Sequence, residues 1–250
     1  MEKVRNLVFR FLRLFVRLFY RKPEIIGLEN LPQEPCILVG NHSQMHGPII
    51  GELFFPDAYT WCAGQMMELK AVPAYAFQDF WSRKPKYIRW FYKLLSYAIA
   101  PLSVCIFNEA RTIPVYHNKR IVKTFKQTLA RLGEGRNIII FPEHDAPYDH
   151  ILCDFQTGFV DVARAYYKQT GKVLSFVPMY LAPKLRQVHL GTPIPYAPEN
   201  AIKEERQRIC DQLMTQISQL ARSLPRHKVV PYNNVSKKAY NYNREEECTQ

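Results

Sequence analysis

Apolar positions along this chain follow two periods. Short unbroken runs, Cys36-Ile37-Leu38-Val39 and Asn137-Ile138-Ile139-Ile140, end in polar, Pro or Gly signals and predict buried strands. Residues 58–63, 111–116, 173–181 and 187–190 read as further strands. Other stretches repeat at helical spacing. A helix is expected from near Pro48, where Pro is tolerated in the first turn. Others are expected over 119–132, closed by Gly133 as a C-cap, and over 159–167. The last spans 200–224, with Ile202, Ile209, Leu213, Ile217 and Leu220 in register. A chain of 250 residues is long enough for one large α/β domain with a substantial core.

The N-terminal pattern is different. Over residues 4–22, Arg10, Arg13, Arg17 and Arg21 fall on one narrow stripe of a helix, joined by Lys3. Leu7, Val8, Phe11, Leu12, Leu14, Phe15, Leu18 and Phe19 cover most of the remaining circumference. A bilayer span needs about 20 residues with few charges, and the regular arginines argue against one. There is no unbroken apolar stretch with a small-residue cleavage site, so a signal peptide is not expected either. The pattern suits a helix lying in the membrane interface, its apolar face in the acyl boundary and its arginines on phosphate headgroups. A helix packed on the domain with its arginines in water is the competing reading. The expected organisation is a membrane-surface helix over 1–22, a domain over 23–230, and a loose polar tail over 231–250.

Composition narrows the partners. The chain is 47% apolar, too rich in core formers to be largely disordered. Its net charge is +12 and its pI about 9.4, which point to an anionic partner. Charge alone leaves nucleic acid, anionic lipid and phosphorylated substrates open. The segment 81–107 interleaves Trp81, Tyr87, Trp90, Phe91 and Tyr92 with Arg83, Lys84, Lys86, Arg89 and Lys93. Such a mixture can stack single-stranded nucleic acid or settle at headgroup depth. No nucleic-acid motif accompanies it, so membrane lipid is the expected partner and nucleic acid is not. The six cysteines are scattered without a C-x-x-C pair, which suggests free thiols in a reducing compartment.

Chemistry concentrates at two strand ends. Asn41-His42-Ser43-Gln44-Met45-His46-Gly47-Pro48 follows the first buried run, and Phe141-Pro142-Glu143-His144 follows the second. Open α/β sheets place their reactive groups at such ends. Asn-His after one strand and Phe-Pro-Glu after a later one resemble motifs of the glycerolipid acyltransferases, which acylate lysophospholipids and glycerol phosphate. Cys153-Asp154-Phe155-Gln156-Thr157-Gly158-Phe159, Phe176-Val177-Pro178-Met179 and Leu190-Gly191-Thr192-Pro193-Ile194 are similar to later family blocks, in the same order. The resemblance runs over residues 25–220.

It implies a mixed sheet flanked by helices, and an acyl group moved from acyl-CoA or acyl carrier protein to a lipid hydroxyl with no further cofactor. His42 would be the base, since imidazole titrates near neutrality. Glu143 would help form the acceptor site, with Asn41, His46, His144 and Pro178 also lining it. His117, Lys119 and Arg120 lie where the family binds the acceptor phosphate. The chain also departs from the family. Gly47 stands where the first motif has Asp, His144 where the third has Gly, and His117 where the second has Arg. An acid normally orients such a histidine and steadies its imidazolium. Glu143, Asp145 and Glu52 are candidate replacements, Asp145 foremost.

Two other classes remain. One is a catalytically silent relative that binds lipid or carrier protein. The other is a metal-dependent hydrolase drawing on His42, His46, His144, Asp145, Asp149 and His150. No metal is expected, since Ser43 stands where H-E-x-x-H needs Glu. The expected location is the cytoplasmic face of the cell membrane, held peripherally or monotopically.

Overall fold

A computed structural model describes residues 2–244 other than Arg83 and His117. The chain begins with α1 (Glu2–Phe19), β1 (Glu24–Ile26), β2 (Cys36–Gly40), α2 (His46–Phe54), β3 (Ala58–Ala63) and α3 (Val72–Ala76). It continues through α4 (Arg89–Glu109), β4 (Thr112–Val115), α5 (Ile121–Gly133), β5 (Asn137–Ile140), β6 (Glu143–Pro147) and β7 (Cys153–Phe155). It closes with α6 (Asp161–Thr170), β8 (Ser175–Ala182), β9 (Gln187–Leu190), β10 (Ile194–Pro195) and α7 (Ile202–Ser223). Two compact units interleave along it: residues 1–21 with 59–127, and residues 22–58 with 128–250. No linker-like composition marks either border, which is why the sequence suggested a single stretch from 23 to 230.

The larger unit is a mixed sheet with helices. Its strand order is β1-β9-β8-β2-β5, with β10 on β8. β2 runs parallel to both β5 and β8, so Val39 sits opposite Ile140 on one side and Pro178 on the other. β9 returns antiparallel to β8. Ile37, Leu38, Ile138, Ile139, Phe176 and Val177 are wholly buried. Parallel strands covered on both faces need continuous apolar runs, which accounts for the pattern that predicted them. Each such side chain contributes about 1.5–3 kcal/mol by leaving water. α7 packs on β8 and buries Ile209, Leu213 and Ile217. α5 ends as expected, but Gly135 rather than Gly133 takes the left-handed cap, at φ 78°.

The expected loose tail is packed through Asn243. Its side chain accepts from the His227 amide at 2.8 Å and donates to the Ala221 carbonyl at 2.8 Å. Val229 N–H donates to Asn241 O at 2.9 Å, and Tyr240 is buried. Polar composition misled here because the segment is held by amide and ring contacts rather than by aliphatic burial.

The smaller unit pairs β3 with β4 in parallel and packs α3 against α4 around Met66, Val72, Ala76 and Ala100. α1 lies along α4. Arg5 pairs with Glu109, Asn6 donates to the same carboxylate at 3.3 Å, and Phe9 is buried. So α1 is partly packed, as the competing reading held, yet its apolar face stays outside. Leu7 is 68% exposed, Phe11 67% and Leu18 73%; on α4, Trp90 is 69% exposed. Lys86–Glu109 is the one helix, among the described residues, long and apolar enough to cross a membrane by length and composition. Cys36, Cys62, Cys105, Cys153 and Cys210 are free thiols.

Candidate active site

β2 and β5 are adjacent and parallel, so the residues after their C-terminal ends meet. The contact is not the one expected. Glu143 is buried and points its carboxylate at backbone: it accepts from His42 N–H at 2.6 Å and from Cys153 N–H at 2.9 Å. Burial pushes its pKa up to about 7, against the two amides that favour the anion. Glu143 therefore fastens the strand end that carries His42, and it joins β6 to β7. Asn41 is equally committed. Its side chain accepts from Leu181 N–H at 2.7 Å and donates to Leu181 O at 3.1 Å and Ser43 Oγ at 2.7 Å. Asn41 ties β2 to β8. Pro178 is buried within β8, its carbonyl accepting from Gly191 N–H at 2.8 Å.

The chain then turns sharply. Ser43 and Gln44 both take left-handed conformations, at φ 49° and 54°. Two non-glycine residues there cost about 1–3 kcal/mol each and persist only where the surroundings fix them. Here His46 N–H donates to Ser43 O at 3.0 Å and Gly47 N–H to His42 O at 3.1 Å. The turn brings Gly47 back against His42. A Cβ at Gly47 would lie 2.5 Å from the His42 carbonyl oxygen and 2.9 Å from the Phe141 ring. The position where the resemblance expects Asp admits no side chain.

The imidazole of His42 meets two aromatic rings. Phe141 is edge-on at 5.3 Å and 73°, Tyr232 at 5.7 Å and 89°. Its Nδ1 is buried and has no hydrogen-bond partner among the described residues. No carboxylate among the described residues, Asp145 included, bonds that nitrogen. Asp145 stands exposed on β6. Burial pulls the His42 pKa down to about 4, with a backbone contact at Gln44 opposing. His46 is half-buried and also lowered, by burial first and then by the Lys184 charge. His144 accepts from Ala146 N–H at Nδ1, at 3.2 Å, and its Nε2 lies 3.5 Å from the Asp154 carboxylate.

The basic segment belongs to the smaller unit. Arg120 lies over the Tyr116 ring, 3.9 Å from its centroid, and pairs with Glu68. That pairing holds the Glu68 carboxyl below its usual range. Tyr116 in turn rests flat on Gly64, where a Cβ would come within 2.3 Å of its ring. Arg120 is thus engaged, and a phosphate would have to displace Glu68. Lys119 is exposed. His117 lies outside the described residues.

Two of the residues considered for a metal are engaged elsewhere. Asp149 accepts from the amides of Ile151 and Leu152, from Ser218 Oγ and from Arg222. The His150 ring meets Asn243 O at 3.1 Å. No three His, Cys, Asp or Glu side chains among the described residues gather as a metal set.

Sequence reasoning missed Tyr232 and the segment that carries it. Gln44 Nε2 donates to Asn233 O at 3.0 Å, and Tyr240 Oη donates to Gln44 Oε1 at 3.1 Å. The signal was present as Tyr232, Tyr240 and Asn243 within a polar stretch, but nothing local says that it folds back on the His42 turn.

No family model matches the chain, and no curated protein does. Among solved structures, the 1-acyl-sn-glycerophosphate acyltransferase of Thermotoga maritima is similar at 18% identity and a TM-score of 0.47, covering 88% of this chain and 82% of that one. A likeness this remote carries neither activity nor substrate to the present chain.

Proposed function

We propose that this chain is an O-acyltransferase of the glycerolipid type acting at a membrane surface, with His42 as its base. The observation that carries the reading is the junction of β2 and β5, where His42 and Glu143 leave adjacent parallel strands and are bonded to each other. The acceptor hydroxyl oxygen would attack the thioester carbonyl carbon of acyl-CoA or acyl carrier protein. The imidazole takes the hydroxyl proton, the C–O bond forms, the C–S bond breaks, and the proton passes to the leaving thiolate. With a pKa near 4, His42 is neutral at physiological pH and free to accept that proton. Holding it at pH 7 costs about 4 kcal/mol, at about 1.4 kcal/mol per pKa unit. The negative charge developing on the thioester oxygen is the available counter-charge.

Cys153 is no rival nucleophile. Burial first, then Glu143 and Asp145, push its thiol up to about 11, so it stays protonated. The acceptor is a lysophospholipid or glycerol phosphate, with Lys119 and Arg120 candidates for its phosphate. The outward apolar faces of α1 and α4, with Arg10, Arg17 and Arg21 exposed beside them, suit a monotopic position on the cytoplasmic leaflet.

A second reading has its own observation. The unpartnered Nδ1 and the closed Gly47 position favour a relative that binds lipid and has lost catalysis. Thiol release from acyl-CoA and from acyl carrier protein, measured with lysophospholipid acceptors on wild type and His42→Ala, separates the two. The transferase reading expects turnover that falls by about 100-fold or more in His42→Ala. No thioester consumption by the wild type with any acceptor supports the silent relative.

A further inference from the structure

Nothing polar holds the His42 ring at Nδ1, yet the ring is not loose. It contacts both Phe141 and Tyr232, each edge-on. Phe141 occupies the space beside Gly47 that a side chain there would need. Tyr232 belongs to a segment fixed at both ends. Gln44, in the turn after His42, holds Asn233 by its amide and Tyr240 by its carbonyl. Beyond, Asn243 is tied to His227, Ala221 and Leu224. The segment is therefore fastened to the same turn that it covers.

We propose that Tyr232 is a positioning residue for His42: with Phe141 it holds the imidazole by ring contact, the task a carboxylate performs in a catalytic triad. The glycine at 47 and the tyrosine at 232 are two halves of one arrangement. Gly47 leaves room for the Phe141 ring, and the C-terminal segment supplies the Tyr232 ring. An aromatic contact orients without charge, so it fixes the ring and leaves it neutral. The kinetic part of this proposal rests on His42 being the base; the structural part does not.

The test uses the full chain with isotope-labelled histidine, the His42 signals being identified by their loss in His42→Ala. Ring signals and titration midpoints are compared in wild type, Tyr232→Ala and Tyr232→Phe. Glu143, whose carboxylate lies against the His42 amide, is common to all three. The expected result is a displaced His42 ring signal in Tyr232→Ala, with a midpoint higher by about one unit or more, toward the ordinary value near 6.5. Tyr232→Phe should match the wild type. His150 and His227, both bonded to Asn243, report whether the segment itself stays in place. Should Tyr232→Ala disturb them, Tyr232→Leu keeps the bulk and supplies the comparison. In an active enzyme kcat should fall on the order of 10- to 100-fold with KM little changed, and Phe should restore it. Unmoved His42 signals in the Ala and Leu variants, or a Phe variant behaving like Ala, overturn the role. A wild type that consumes no thioester defeats the transferase reading alone, and the spectra still decide Tyr232.

Discussion

In the larger unit Ile37, Leu38, Ile138 and Ile139 are out of solvent altogether. In the smaller one Leu7, Phe11, Leu18 and Trp90 face outward, each more than two-thirds exposed. Both sets are large aliphatic or aromatic residues, and they differ in what surrounds them. In the larger unit β2 and β8 each lie between two other strands, and α7 packs on β8. α4 packs against both α1 and α3, and the apolar residues left over on α1 and α4 stay in solvent. The larger unit is organised around its own backbone, with Asn41, Glu143 and Asp149 all turned inward on amides and carbonyls. The smaller unit packs around Met66, Val72, Ala76 and Ala100 and leaves the apolar face of α1 in solvent.

Four experiments press on that contrast. The largest effect is expected from making Leu7, Phe11, Leu14 and Leu18 all Ser. Because they are exposed, thermal stability should hold while partitioning onto anionic phospholipid vesicles falls by about 10³-fold, measured by sedimentation. Unchanged partitioning would mean the face serves internal packing. Arg10, Arg17 and Arg21→Gln should weaken anionic vesicles more than neutral ones.

The second concerns the inward-turned unit and pH. Glu143 has a folded pKa near 7 against an ordinary 4.5, so its contribution falls as pH rises from 4.5 to 7. His42 has a folded value near 4 against 6.5, so its contribution is present above 6.5 and lost as pH falls toward 4. The two slopes oppose each other between 4.5 and 6.5. Glu143→Gln removes one, and denaturant titrations of that variant should show stability rising with pH across this window. The term removed is about 3 kcal/mol. An unaltered pH profile would place the proton elsewhere.

Third, Gly47→Asp should not restore activity. With backbone at 2.5 Å from the new Cβ, it should destabilise by about 1–3 kcal/mol and lower Tm. A gain in thioester turnover would refute the closed-site description. The smallest effect is expected at Arg120. If it reads an acceptor phosphate, Glu68→Gln should release it and lower the acceptor KM by about two- to fivefold. No change would leave Arg120 to its Tyr116 contact.

Much of the fold was legible because it rests on local pattern. The runs at 36–39 and 137–140, the exact bounds of β3 and β9, and the apolar stripe of α7 all follow from burial periodicity. The site was legible only in part. His42 and Glu143 arrive together, as strand ends predict, but the sequence cannot say that Glu143 turns to the His42 amide rather than to its ring. Nor can it show that Gly47 is a steric requirement rather than a missing acid. That follows from the left-handed turn at Ser43 and Gln44, residues with no general preference for such angles. Tyr232 was hidden because its contact spans most of the chain.

The interleaving of the two units has a consequence for synthesis. α1 is synthesised before α4, and its anchor Glu109 comes 104 residues after Arg5. At ~5–20 residues per second, α1 waits on the order of 5–20 s for α4. Through that interval Phe9, buried in the finished protein, has no α4 beside it, and the burial of α1 waits on a contact made more than a hundred residues later.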